Sequence, residues 1–224
     1  MILRSIHLSM EESARLLPDN VNVKLILRHS FRPTLQGHIE HKNVRLTSAG
    51  ISLAAALGRS IECIIGELHS SVIPRCIETI ESIMTDRNEK RTINLSEDIL
   101  TDVFATNKKE ADASFKKIGS LKQIVKMLQE HDKIPGFRMI EESVSMILNY
   151  IFQNSNEPNT LDIYCTHDLQ LALLNSVLFS PDISLQDIKL EWPNMLEGMF
   201  FWGQRNDFYC AWRGKSKRFR NLLL

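Results

Sequence analysis

The stretch VKLILRHSFRP, Val23 to Pro33, decides how this 224-residue chain is read. Residues 22–27, NVKLIL, form an apolar, β-rich run of the kind that fills a buried strand. That run stops at Arg28 and His29, followed by a small Ser30, Phe31, Arg32 and Pro33. Two arginines and a histidine within five residues are either an accidental polar strand end or the opening of an anion site that contains a nucleophile.

Two other strands end in the same manner. ELHSSVIP, 67–74, reads as a short strand breaking into a loop. Arg75 then opens a helix, RCIETIESIM, with Ile77, Ile80 and Met84 on one side. LDIYCT, 161–166, reads as a second buried strand and runs into His167-Asp168 and the apolar helix LQLALLNSVL. In open α/β sheets, ligands bind beyond the carboxyl ends of the strands, so residues distant in sequence can converge there. Arg75 and His167 would also stand near helix N-termini, which favour anions.

Around these strands the chain alternates. SMEESARLL, 9–17, reads as a short capped helix. LTSAGISLAAALGRSIECII reads as a helix with Thr47 as N-cap and Ala54, Leu57, Ile61 and Ile65 on one face. RTINL, 91–95, is a short strand. The charged residues 107–132 suggest surface helices. A helix over 138–152 carries Met139, Val144, Ile147, Leu148 and Ile151. GMFFW and FYCAWR flank GQRND, a hairpin signal. The expected fold is a single α/β domain over residues 1–224. It is a three-layer α/β/α sandwich with a mainly parallel central sheet, an antiparallel edge hairpin and a small helical insert or lid around 100–140. RGKSKRFR, 213–220, reads as a solvated basic tail that a phosphorylated or polyanionic partner could use.

Composition removes other classes. At 43% hydrophobic residues the chain can bury a full core. Lys plus Arg and Asp plus Glu number 27 each, so no global charge steers it toward nucleic acid or a membrane. Cysteines at 63, 76, 165 and 210 show neither a disulfide framework nor a zinc pattern. Cys63 and Cys165 lie in apolar surroundings, as reduced core cysteines do. The segment MILRSIHLSMEES lacks a sustained apolar core, so no signal peptide is expected. No run approaches the length of a membrane span. A cytoplasmic setting follows as the expectation.

Two arginines and two histidines aimed at one point make a phosphate pocket. Guanidinium forks match phosphate oxygens in pairs. Neighbouring positive charge keeps one imidazole neutral and nucleophilic. Histidine can then attack phosphorus, and a carboxylic acid can protonate the leaving oxygen. No metal or other cofactor is needed.

Four stretches in this order resemble the histidine phosphatase superfamily, the phosphoglycerate mutase-like and acid phosphatase-like enzymes, over residues 22 to 202. Arg28-His29-Ser30 resembles its Arg-His-Gly motif. LTSAG, 46–50, resembles its Leu-Thr-x-x-Gly helix start. Ser71, Arg75 and Thr79 match its Ser-x-x-x-Arg-x-x-x-Thr segment, and YCTHDLQLALLNSVL, 164–178, resembles its second-histidine motif. The resemblance implies His29 as nucleophile, with Arg28, Arg75 and His167 binding phosphate. Arg32 resembles the second arginine of the acid phosphatase branch, Arg-His-Gly-x-Arg-x-Pro, which adds it to the pocket. The His167-Asp168 pair resembles that branch too, implying Asp168 as proton donor. Glu97, in NLSED, is the alternative, since the mutase branch takes its acid from a glutamate after a later strand.

The implied activity is metal-independent hydrolysis of a phosphomonoester, a small phosphorylated substrate or a phosphopeptide, through a phosphohistidine on His29. A phosphate-binding or regulatory pseudo-phosphatase and a phosphomutase are the alternatives. Ser30 departs from the motif's glycine and puts a Cβ where backbone approaches ligand. Phe31 is unusual for the mutase branch. A chain this short leaves room only for a small substrate-covering insert. A homodimer through the terminal hairpin stays open.

Each residue also has a plainer reading. Ser71 can serve loop backbone and Thr79 its own helix. His38 and His41, three apart in GHIEH, read as loop residues that could line the entrance rather than as metal ligands. His7, His69 and His131 read as structural or exposed, and Trp192 and Trp202 as packing.

Overall fold

The computed structural model describes residues 3–34, 41–87, 91–153, 157–181 and 184–224. In its first half, α1 (Leu8–Arg15) precedes β1 (Val23–Arg28), α2 (Ser48–Ser60), β2 (Ile64–Ser70), α3 (Pro74–Met84) and β3 (Ile93–Leu95). Then come α4 (Lys108–Ile118), α5 (Leu121–Gln129), α6 (Ile140–Gln153), β4 (Thr160–Thr166), α7 (Asp168–Leu178) and α8 (Leu185–Leu190). The chain closes with β5 (Gly198–Gln204), β6 (Asp207–Trp212) and β7 (Lys215–Arg220).

The strands form one sheet in the order β3-β2-β4-β1-β5-β6-β7. β1, β2, β3 and β4 run parallel, and β5, β6 and β7 continue antiparallel from β1. Every residue of β1 and β4 is buried. Helices cover both faces, so the apolar residues of the central strands have a core on either side. Leu25 and Leu27 point into a core shared with Met10 of α1, Leu57 of α2 and Ile80 of α3. Ile26 points the other way, into a core with Val125 of α5, Leu148 of α6 and Leu171 of α7. This is the three-layer α/β/α sandwich with a mainly parallel centre and an antiparallel edge.

Two charges lie inside it. Lys24 and Asp162 stand opposite one another on β1 and β4, both with no exposed surface. Asn22 bridges them, accepting from Lys24 and donating to Asp162 Oδ2 at 2.9 Å, while Glu67 N–H donates to Asp162 Oδ1 at 2.7 Å. The two groups are linked through Asn22 and Asp162 is also bonded to backbone, which is how buried opposite charges become tolerable.

Four expectations are corrected. The helix that opens at Thr47 ends at Ser60, where Ile61 turns extended, so Ile64 and Ile65 belong to β2 and not to the helix face. The basic stretch 213–220 is a turn and the edge strand β7. Arg213 and Gly214 turn the chain with φ of 48° and 74°, and Phe219 stacks on Phe208 at 5.1 Å. The edge is therefore a three-stranded meander whose last strand is guarded by Lys and Arg. Helix α1 has His7 at its N-cap and no side-chain cap. Helix α8, capped by the Ser184 hydroxyl, adds a short element to the expected order. The 107–132 segment forms α4 and α5, and α5 buries Ile124, Val125 and Leu128 in the core. Among the described residues no helix is long and apolar enough to cross a membrane.

Candidate active site

The strand ends converge as the sheet topology requires, because β1 lies beside β4 and β4 beside β2. Arg28 N–H donates to the Glu197 carbonyl and His29 N–H to that of Thr166, both at 3.0 Å. This fixes the backbone of β1 as it leaves the sheet. Ser30 is fully buried. Its N–H donates to Thr79 Oγ1 at 2.9 Å and its hydroxyl to the Gly50 carbonyl at 2.7 Å. The Thr79 hydroxyl in turn donates to the Arg75 carbonyl at 2.7 Å, so this residue serves both its own helix and the loop after β1. Gly50 is the glycine of LTSAG. A Cβ there would stand 2.2 Å from the Phe31 carbonyl oxygen, so the loop lies on the first turn of α2 as closely as backbone allows. The side chain of Ser30 thus helps to seat the loop on α2.

His29 is buried, and its Nδ1 lies 2.7 Å from its neighbour's carbonyl, Ser30 O. A carbonyl only accepts, so Nδ1 carries the hydrogen and Nε2 bears the lone pair. Burial, then the neighbouring His167 and the guanidinium groups of Arg75 and Arg28, push this imidazole well below the ordinary histidine range, against the opposing pull of the Ser30 bond. The His167 ring stands 5.5 Å from that of His29, at 66°. Arg75 Nη2 donates to His167 Nδ1 at 3.1 Å, which leaves Nε2–H to donate to Ser71 Oγ at 3.0 Å. Ser71 Oγ is also 2.8 Å from Thr101 Oγ1. The Cys76 thiol lies beside the same ring, 3.7 Å from Nε2.

Arg28 donates through Nη1 to the Pro193 carbonyl at 2.6 Å and pairs through Nη2 with Asp168 Oδ2 at 3.0 Å. Its Nε is buried without a partner among the described residues, as is that of Arg32. Arg32 Nη1 donates to its neighbour's carbonyl, Pro33 O, at 3.0 Å, while its charge bears on both Arg28 and Arg75. Orphaned buried donors beside clustered guanidinium groups are what an oxyanion satisfies.

Asp168 Oδ2 also accepts from Trp192 Nε1 at 3.1 Å, and Oδ1 from Leu169 N–H at 3.1 Å. Burial raises this carboxyl, but Arg28, Trp192 and His167 outweigh it and hold the group below the usual carboxylate range. Glu97, in contrast, is exposed. Lys108 Nζ sits 2.5 Å from its carboxylate and holds it ionised.

The structure therefore brings Arg28, His29, Arg75, His167 and Asp168 together, with Arg32 at the edge, and leaves Glu97 on a surface ion pair. It adds partners that the sequence did not announce: Trp192, Pro193, Thr101 and Cys76. His69 is a buried residue of the core face, stacked on Tyr164 at 4.5 Å and paired with Glu67. His7 contacts the Met195 carbonyl and His131 pairs with Glu141. Trp202 stacks on Tyr209 at 5.2 Å. His38 lies outside the described residues, as does the side chain of His41. Among the described residues no group of three or more His, Cys, Asp or Glu is placed to hold a metal ion. An apolar groove of about 190 Å³ lined by Ile6, Leu53, Ala56, Leu57 and Leu196 contains none of the pocket groups.

Solved structures share this fold. A phosphoglycerate mutase from Bacillus anthracis str. Sterne aligns with 16% identity over 85% of this chain and 91% of its own, with a TM-score of 0.56. YhfR of Bacillus stearothermophilus aligns with 14% identity over 87% and 97%, TM-score 0.57. A phosphoserine phosphatase from Entamoeba histolytica, solved with 3-phosphoglyceric acid, aligns with 17% identity over 80% and 90%, TM-score 0.52. No protein-family model and no curated protein matches the chain.

Proposed function

We propose that this chain is a histidine phosphatase that hydrolyses a phosphomonoester through a phosphohistidine on His29. The observation that carries this reading is the state of His29: a buried imidazole with Nδ1–H committed to Ser30 O and with cationic groups around it. A neutral ring with a bare Nε2 lone pair in a pocket of guanidinium groups is a nucleophile poised for an electrophilic, anionic centre.

The phosphoryl group binds to Arg28, Arg32, Arg75 and His167. His29 Nε2 attacks phosphorus as the P–O bond to the leaving group breaks. Asp168 protonates the departing oxygen, then takes a proton from the water that attacks the phosphohistidine, and inorganic phosphate leaves. The resting ion pair with Arg28 bears on that role. A phosphoryl dianion competes for the same guanidinium fork. Once Arg28 turns to the phosphoryl group, Asp168 loses the largest of the influences that hold it ionised, and its affinity for a proton rises. Binding and proton loading are thereby coupled. Glu97 is the alternative acid, and Lys108 must first release it.

Two neighbours in fold are named for reactions of phosphate esters, one a phosphatase and one a mutase. Hydrolysis is preferred here, with a small phosphorylated metabolite or a phosphopeptide as substrate class. A non-catalytic binding module drew its support from Ser30, whose hydroxyl is taken by Gly50. Four free cysteines fit a reducing, cytoplasmic setting. The test is turnover of p-nitrophenyl phosphate with and without a chelator. Free phosphate should accumulate in both, and His29→Ala should abolish it. Transfer without net release would instead mark a mutase. A chelator-sensitive rate would contradict the mechanism.

A further inference from the structure

Loop 191–197 lies between α8 and β5 and reaches the pocket at three points. Trp192 Nε1 donates to Asp168 Oδ2, the Pro193 carbonyl accepts Arg28 Nη1, and the Glu197 carbonyl accepts Arg28 N–H. Asp168 closes the ring through its own bond to Arg28. The loop is held from outside by Arg213, in the turn between β6 and β7. Its Nε and Nη2 bind the two carboxylate oxygens of Glu197 at 2.7 and 2.8 Å. Its Nη1 and Nη2 donate to the carbonyls of Glu191 and Trp192 at 3.0 and 3.3 Å. Glu197 is buried and also accepts from Asn194 N–H at 2.8 Å. Lys122 of α5 rests over the Trp192 ring, 5.6 Å from its centre.

We propose that Trp192 is a positioning residue: its indole N–H keeps the Asp168 carboxyl aimed into the pocket when the substrate's phosphoryl group takes Arg28 from it. This rests on the reading of Asp168 as the proton carrier. Arg28 Nη2 gives one N–H to Asp168, and a doubly charged phosphoryl group draws the guanidinium toward itself and weakens that bond. Leu169 N–H holds only Oδ1. Without the indole, Oδ2 would lose its last donor at the moment of proton transfer and the carboxyl would be free to rotate. Among the described residues, the charged and titratable groups that face Asp168 are Arg28 from β1, Arg75 from α3 and His167 just before α7. Lys122 faces it only across the indole. Arg213 acts one step further out, by fixing the backbone that carries Trp192.

The test replaces Trp192 by Phe and, in a second protein, by benzothienylalanine. The latter keeps the bicyclic ring and removes only the N–H. The Asp168 carboxyl is followed by ¹³C NMR titration, free and with saturating inorganic phosphate. In the unaltered protein phosphate should move the titration to higher pH. Both variants should already titrate higher than the unaltered protein without phosphate, because a donor to the charged form is gone. Their kcat should fall roughly tenfold, the worth of one hydrogen bond to a charged group, with KM little changed. Arg213→Met should shift the same titration in the same direction. Variants with an unmoved titration and unchanged kcat would overturn the proposal. Absence of phosphatase activity in the unaltered protein would instead overturn the proposed function, while the titration of the free protein would still decide the contact.

Discussion

Replacing Arg75 by methionine removes a guanidinium that contacts the second histidine and that the proposed mechanism assigns to the phosphate, and it makes two separable predictions. Arg75 Nη2 stands 3.1 Å from His167 Nδ1, and its charge lowers the protonation of His29. A unit charge about 4 Å from a phosphoryl charge, at an effective dielectric near 20, is worth about 4 kcal/mol. Arg75 is only half buried, so solvent screening reduces that to about 2–3 kcal/mol. Lost from the transition state, this lowers kcat/KM by roughly 30- to 150-fold. Methionine keeps the length of the side chain without its charge, so packing on α3 should survive and the thermal midpoint should move little. The pH profile supplies the sign. His29 acts as the neutral ring, and positive neighbours depress its protonation. The acid limb of kcat/KM should therefore lie well below the ordinary histidine value, about 6.5. Removing Arg75 removes one depressing charge, so the limb should move to higher pH. Steady-state rates across the pH range on p-nitrophenyl phosphate read both effects. A loss smaller than fivefold, or a limb that stays where it was, would refute the placement of Arg75 in the pocket.

Other changes test neighbouring parts of the account. Asp162→Ala leaves the fully buried Lys24 without the carboxylate opposite it and should cost about 3 kcal/mol, read as a lower urea midpoint. Gly50→Ala would drive a methyl against the Phe31 carbonyl, 2.2 Å away, and so displace the His29 loop. A displacement near 1 Å should lower kcat roughly a hundredfold with the fold retained, as near-UV circular dichroism would report. Asp168→Asn should slow turnover of a poor leaving group, such as an alkyl phosphate, far more than that of p-nitrophenyl phosphate. Glu97→Gln should leave both substrates within about threefold. The opposite pattern would make Glu97 the acid.

The central strands were legible because both faces are covered. VKLIL and LDIYC carry apolar residues at nearly every position, and two-sided burial demands that composition. The histidine and arginine positions were legible for the same reason, since a charge at the end of such a run has no place in either core. β7 was not legible. KSKRFR has one apolar residue, and an edge strand that pairs on one side needs little more, so its charges read as a tail. Trp192 lay beyond the sequence because its contact with Asp168 crosses 24 positions and depends on Arg213 folding back over the loop. Ser30 looked like an obstruction to the ligand. Its hydroxyl instead meets a helix carbonyl twenty residues on, a partner that no local pattern reveals.

The most direct measurement is capture of the covalent intermediate. Enzyme mixed with a phosphate ester on the millisecond scale and quenched in base, where phosphohistidine survives, is digested and its peptides are weighed. One phosphoryl group should appear on the peptide containing His29 and should be absent from His29→Asn protein. Continued release of phosphate with no labelled peptide, or with the label on another residue, would contradict the account.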